Sequence, residues 1–106
     1  MTRDQELYRE IGQILYEAAP DESEKIVMRA KLVPQGDVCE FEYDYVGRDN
    51  SEKWFLTSDG KVDQSLREHL VALRDFFVSQ NQPVWSGCEF VLNVADGTFS
   101  VRFSYG

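Results

Sequence analysis

Two neighbouring segments of alternating polarity, 26–33 and 38–45, fit one another in a single antiparallel register. If the four residues 34–37, Pro-Gln-Gly-Asp, form the turn, Val33 lies opposite Val38. That register pairs opposite charges on one face and apolar side chains on the other: Lys31 with Glu40, Arg29 with Glu42, Ala30 with Phe41, and Met28 with Tyr43. Because one register satisfies both faces, the two segments predict a β-hairpin with one buried face.

A second hairpin is predicted near the C-terminus, where segments 85–95 and 98–105 flank the pair Asp96-Gly97. This dipeptide favours a two-residue turn with positive φ at both positions. Counting back from such a turn predicts four apolar pairs on one face: Val94 with Phe99, Leu92 with Val101, Phe90 with Phe103, and Cys88 with Tyr105.

Two helices are predicted from apolar residues that recur every three or four positions. The apolar stripe of the first helix covers 7–18. This helix starts near residue 3 and is closed by Pro20. The second buries a stripe that runs from Leu66 to Phe77, begins at a capping box of Ser65 and Glu68, and ends near Gln80.

A third strand is expected around 53–57, where the pattern allows either Trp54 and Leu56 or Phe55 to point inward. The predicted order is therefore α-β-β-β-α-β-β. This order indicates an α+β fold, with a mainly antiparallel five-stranded sheet and two helices on its apolar face. The length of 106 residues and the absence of any linker predict a single domain spanning 1–106.

The chain is acidic, with 19 Asp and Glu against 11 Lys and Arg and a formal net charge of -8. Such a field repels nucleic acid and anionic lipid and attracts basic surfaces, although it is also typical of an ordinary solvated surface. The N-terminal residues form no signal peptide, and no apolar run is long enough to cross a bilayer, so we expect a cytoplasmic protein.

Residues that carry chemistry are scarce. His69 is the single histidine and lies on the second predicted helix, where a packed or half-exposed residue is more common than a general base. Cys39 and Cys88 stand alone and fit buried thiols better than metal ligands. Glu40 and Glu42 each face a cation in the inferred register. We therefore expect no catalytic residue, no metal site and no cofactor.

Several motifs together resemble the YezG-type immunity proteins of bacterial polymorphic toxin systems. The resemblance covers nearly the whole chain and is most specific near its two ends. It rests on segment 7–20, LYREIGQILYEAAP; Glu24-Lys25; 41–45, FEYDY; 81–85, NQPVW; 96–99, DGTF; and the aromatic residues Phe103 and Tyr105. A tryptophan that often follows the proline in this family is replaced here by Asp21-Glu22-Ser23.

The resemblance implies a cytoplasmic protein that binds and neutralises a cognate toxin, frequently a nuclease, delivered by contact-dependent or type VII systems. A basic nuclease cleft would attract an acidic antidote. The candidate partner-binding residues are the carboxylates and aromatic side chains Asp21, Glu22, Glu24, Glu42, Asp44, and whichever of Trp54 and Phe55 is exposed. Pairing with Arg29 is the alternative role of Glu42.

Two other functions compete with this one. An acidic secretion chaperone shares the order of helices and strands, but most such chaperones add a C-terminal helix and are dimers. A cofactor-free enzyme would use His69 with a nearby carboxylate. If the chain is an immunity protein, we expect a monomer or a weak homodimer that binds neither nucleic acid nor membrane directly.

Overall fold

The computed structural model of the chain describes residues 2–33, 38–57 and 60–105. Its elements are, in order, α1 (Arg3–Ala18), β1 (Lys25–Leu32), β2 (Cys39–Val46), β3 (Glu52–Trp54), α2 (Gly60–Ser79), β4 (Gly87–Asn93) and β5 (Phe99–Ser104). The predicted α+β class and the order of its elements are confirmed.

The five strands form one antiparallel sheet in the order β3-β2-β1-β4-β5, so β1 lies at its centre. The register predicted between β1 and β2 is confirmed: Arg29 faces Glu42, Lys31 faces Glu40, and the apolar pairs fall on the opposite face. Val33 N–H donates to the carbonyl of Val38, 3.2 Å away. The predicted turn, 34–37, lies outside the described residues.

The register predicted between β4 and β5 is wrong by two residues. Phe99 faces Leu92 instead of Val94, and Phe103 faces Cys88. The reason is a four-residue loop, 94–97, closed by a bond from Asn93 N–H to the Thr98 carbonyl. Only Gly97 of the Asp96-Gly97 pair has a positive φ, 71°. Because a shift of two preserves the alternation of faces, the predicted apolar residues of both strands still lie on one face of the sheet, although Phe99 is exposed there.

Two further boundaries differ from the prediction. Strand β3 is short and ends at Trp54, although Phe55 N–H still donates to the Tyr43 carbonyl at 3.0 Å. Helix α2 begins at Gly60, so Ser65 lies inside the helix and the predicted capping box is wrong. A tertiary contact accompanies the additional turn, since Asp63 accepts a hydrogen bond from the Tyr43 hydroxyl at 2.5 Å.

Both helices pack on one face of the sheet and enclose the core. The apolar stripes of α1 and α2 contact the inward residues of the central strands β1 and β4 and of the neighbouring β2. Trp85 and Phe90 are the largest completely buried side chains. The described residues place no helix on the opposite face of the sheet, which is called the open face below. Among the residues that the structure describes, no helix is long and apolar enough to cross a membrane.

Candidate partner-binding surface

Carboxylates from three loops meet at one end of the sheet, and the backbone of Glu24 holds these loops together. Its N–H donates to the Val46 carbonyl at 2.8 Å, and its carbonyl accepts from Val94 N–H at 2.9 Å. The α1–β1 loop is thereby fixed between the end of β2 and the β4–β5 loop. The exposed carboxylates that these loops place at this end, called the acidic end below, are Asp21, Glu22, Glu24, Asp49 and Asp96.

Two of these carboxylates are positioned by the same local motif. Asp49 accepts hydrogen bonds from Ser51 N–H and Oγ, and Asp96 accepts them from Thr98 N–H and Oγ. The residue between acceptor and donor has a positive φ in each case, 62° at Asn50 and 71° at Gly97. These bonds lower the pKa of Asp49 and of Asp96 below the ordinary carboxyl value, so both remain ionised at neutral pH.

Asp49 and Asp96 were not predicted as partner-binding residues, although the sequence carries a signal for both. The pattern Asp-x-Ser or Asp-x-Thr, with Asn or Gly in the middle, occurs in both loops as Asp49-Asn50-Ser51 and Asp96-Gly97-Thr98. The pattern identifies two turns. Only the sheet topology brings them to the same end of the molecule.

The predicted residues Asp21, Glu22 and Glu24 are exposed at this acidic end. Glu22 is partly anchored, because the Tyr45 hydroxyl donates to its Oε1 at 3.3 Å. The cations Lys25 and Arg48 also lie at this end of the sheet, so the carboxylates outnumber them. The end therefore presents a negatively charged surface on loops that are joined by backbone hydrogen bonds.

On the open face, Arg29 lies between two carboxylates. Its Nη1 is 2.5 Å from Oδ2 of Asp44, and its Nε is 3.1 Å from Oε2 of Glu89. Glu42 is exposed and forms no ion pair within the described part of the chain. The expected pairing of Arg29 with Glu42 is therefore wrong. Of the two predicted carboxylates, Glu42 is available to a partner and Asp44 is engaged with Arg29.

At β3, the sequence left open which side chains point inward, and the structure shows that Phe55 is buried and Trp54 is exposed. Its side chain is 72% exposed on the open face and faces Asp44, whereas Phe55 is 9% exposed and belongs to the core. Phe55 stacks on Tyr43 and contacts the edge of Tyr45, with ring centroids 5.4 and 5.9 Å apart. Trp54 thus lies beside Asp44 on the open face. The acidic end begins two residues further along β2.

An apolar groove of about 640 Å³ lies between α1 and the β4–β5 hairpin. It was not predicted from the sequence. Its apolar walls are formed by Tyr8, Gly12, Tyr16, Leu92, Val94 and Phe99. Burial raises the pKa of Tyr8 to about 12, which keeps this phenol neutral. The alternation of strands and the helical stripe each indicated one wall, but neither pattern predicted that the walls would stand apart.

The histidine and the two cysteines have structural roles. His69 joins the two helices, with Nε2 3.3 Å from Oε2 of Glu10 and Nδ1 2.7 Å from the Ser65 carbonyl. Both cysteines are free thiols, and burial raises their pKa values to about 11 for Cys39 and about 12 for Cys88. No cluster of three or more His, Cys, Asp or Glu able to hold a metal ion occurs within 2–33, 38–57 and 60–105.

No curated protein matches the chain significantly. The family model described as immunity protein YezG-like matches residues 5–106, nearly the whole length. The match includes all three loops of the acidic end, the open face and both walls of the groove. The chain therefore belongs to the YezG-like family of immunity proteins.

Proposed function

We propose that this protein neutralises a cognate bacterial toxin by stoichiometric binding, as a single domain spanning residues 1–106. The observation that carries the proposal is the match to the immunity protein family over residues 5–106. The surface supports it in two ways. Five exposed carboxylates lie at one end of the molecule, and a tryptophan is exposed on the adjacent open face.

The toxin that best fits this surface is a nuclease. A nuclease must present a cationic cleft to bind a polyanionic substrate, and a cluster of fixed carboxylates is complementary to such a cleft. Hydrogen bonds from Ser51 and Thr98 hold Asp49 and Asp96 in place before any partner arrives. Preorganised charge accelerates association, which matters for a protein that must capture a toxin before it acts.

Trp54 supplies the apolar anchor of the proposed interface. Tryptophan is enriched among the interface residues that dominate binding energy. Here the indole faces Asp44, and the acidic end begins two residues further along β2. We place Asp21, Glu22 and Glu24 at the centre of this interface. Glu42 lies at its margin.

Binding without catalysis is part of the proposal. His69 is engaged with Glu10 and with its own helix, and both cysteines have raised thiol pKa values, which suits structural roles better than nucleophilic ones. We place the protein in the cytoplasm of a toxin-producing cell, where it would meet the toxin before or after delivery. It would need neither nucleic acid nor membrane as a ligand.

The decisive experiment mixes this protein with the toxin domain encoded immediately upstream of its gene. Isothermal titration calorimetry gives the stoichiometry, and toxin activity is followed in the same mixtures. We expect one protomer per toxin domain and activity that falls in proportion to occupancy. If the two proteins do not bind, the proposal is wrong and an acidic secretion chaperone becomes the better hypothesis.

A further inference from the structure

Strand β5 forms one edge of the sheet, and a row of its backbone groups has no partner among the described strands. The bond from Asn93 N–H to the Thr98 carbonyl marks a hydrogen-bonded pair. Such pairs recur every second residue in an antiparallel ladder, so Ser100 and Arg102 bond to β4. The N–H and C=O groups of Phe99, Val101 and Phe103 consequently point away from the sheet.

This edge lacks the devices that usually prevent strands from pairing between molecules. The opposite edge, β3, is three residues long and carries Glu52 and Lys53. In contrast, β5 has six residues, no proline and a single charge, Arg102. Phe99 is 42% exposed, and Tyr105 just beyond the strand is 56% exposed. A long edge with exposed apolar side chains favours the addition of another strand.

We infer that the strand added to this edge is β5 of a second copy of the chain, in an antiparallel two-fold dimer centred on Val101. The strand is self-complementary in this register. Phe99 faces Phe103 of the second copy on the helix-bearing side, and Val101 faces Val101. On the open face, Arg102 faces the uncharged Ser100, so no like charges are opposed. The two sheets join into one continuous sheet of ten strands.

The groove beside α1 strengthens the choice of this register. Continuing the pairing by one more step on the helix-bearing side brings Tyr105 of the second copy opposite Gly97, which lines the groove. An exposed phenol then reaches a cavity of about 640 Å³ walled by Tyr8, Tyr16 and Phe99. The two-fold axis repeats this contact, so both grooves and both Tyr105 side chains are covered together.

The arrangement also accommodates the net charge of -8 on each chain. The acidic end lies at the Gly97 end of β5, and antiparallel pairing directs the two acidic ends away from each other. Exposed charges separated by more than about 8 Å are largely screened at physiological ionic strength. The second copy reaches only the Asp96 margin of each acidic end, so Asp21, Glu22, Glu24 and Asp49 remain uncovered in the dimer.

The test uses the purified chain alone, so its result does not depend on the proposed immunity function. Sedimentation velocity over a concentration series measures the dissociation constant of the dimer. Ser100→Glu places a carboxylate opposite Arg102 of the second copy twice per dimer, and we expect dimerisation to tighten roughly threefold to tenfold. Ser100→Arg creates two like-charge pairs and should weaken dimerisation by a similar factor.

Ser104→Glu and Ser104→Arg are the matched controls. Ser104 is also two residues from Arg102 on the same face, but the proposed register places it opposite Thr98. The sign of the charge at Ser104 should therefore have little effect. Val101→Pro removes a backbone N–H that points away from the sheet. Circular dichroism shows whether this variant still folds. We expect this variant to be monomeric.

Three results would overturn the dimer. The first is a wild-type chain that stays monomeric at all concentrations. The second is a dimer that responds equally to both signs of charge at Ser100, or equally to charge at Ser100 and Ser104. The third is a Val101→Pro variant that folds and still dimerises as tightly as the wild type, because the β5 edge would then not be the interface.

Discussion

Arg29 bonds to Asp44, although Glu42 is the residue that faces it across the β1–β2 ladder. The guanidinium reaches diagonally along β2 while its Nε contacts Glu89 on β4. It thereby joins three strands at the centre of the open face. The diagonal choice engages Asp44 and leaves Glu42 exposed, which a cross-strand pairing rule does not predict.

A double-mutant cycle tests this choice of partner. We expect Arg29→Ala and Asp44→Ala to couple by about 0.5 kcal/mol in the free energy of unfolding, a modest value because the guanidinium is partly exposed. The cycle of Arg29→Ala with Glu42→Ala should show coupling near zero. Urea denaturation of the single and double variants gives both values. A stronger coupling to Glu42 would restore the direct pairing.

The neighbouring residues Trp54 and Phe55 should respond in opposite ways to truncation. Trp54→Ala removes an exposed indole, so we expect stability within about 0.5 kcal/mol of wild type and toxin binding at least tenfold weaker. Phe55→Ala opens a cavity beside Tyr43 and Tyr45 and should cost about 3 kcal/mol. Thermal unfolding and calorimetry with the toxin separate the two effects. Leu56→Ala, another exposed apolar residue, serves as the control.

Neutralising the acidic end should slow association with a basic toxin. For the triple variant Asp21→Asn, Glu22→Gln and Glu24→Gln, we expect an association rate roughly threefold to tenfold lower at low salt, with a flatter dependence on ionic strength. Stopped-flow mixing measures both. The control triple variant Glu6→Gln, Glu68→Gln and Asp75→Asn makes the same change in net charge on the helices. Equal slowing in both would show that total charge matters and position does not.

Stability should fall in alkaline solution because four buried or half-buried groups resist ionisation. One is Tyr43, whose pKa is raised by burial and by its hydrogen bond to Asp63. Burial raises the pKa of Tyr8 from 10.0 to about 12, that of Cys88 from 9.0 to about 12 and that of Cys39 from 9.0 to about 11. A group with a raised pKa in the folded state contributes its full stability below its unfolded pKa. That contribution is lost as pH rises through the folded value. The unfolded chain releases these protons first, so ionisation favours unfolding.

We therefore expect the contribution of these groups to the free energy of unfolding to be constant up to about pH 9 and to decline from there through about pH 12. Urea denaturation at several pH values, with reductant present, measures the decline. Cys88→Ala lowers stability at every pH by leaving a small cavity, but it should flatten the decline because the most buried thiol is gone. A stability that rises between pH 9 and 12 would contradict this assignment.

The alternation of side chains predicted a strand register correctly where the two paired strands agreed on both faces of the sheet. The β1–β2 register followed from charges and apolar residues that agreed on both faces, and the structure confirms it. The β4–β5 register failed because the Asp96-Gly97 pair fits more than one loop length. A hydrogen bond from Thr98 to Asp96 favours the longer loop, and the pattern of faces is insensitive to a shift of two residues.

The chain alone determined the fold class, the order of the elements, the family and the identity of most buried residues. These depend on side-chain periodicity and turn chemistry, which act between residues near one another in sequence. The tertiary structure decided that Arg29 joins Asp44 to Glu89, that Phe55 is buried while Trp54 is exposed, and that three loops share one acidic end. Each of these depends on the relative placement of strands distant in sequence, which local patterns do not encode.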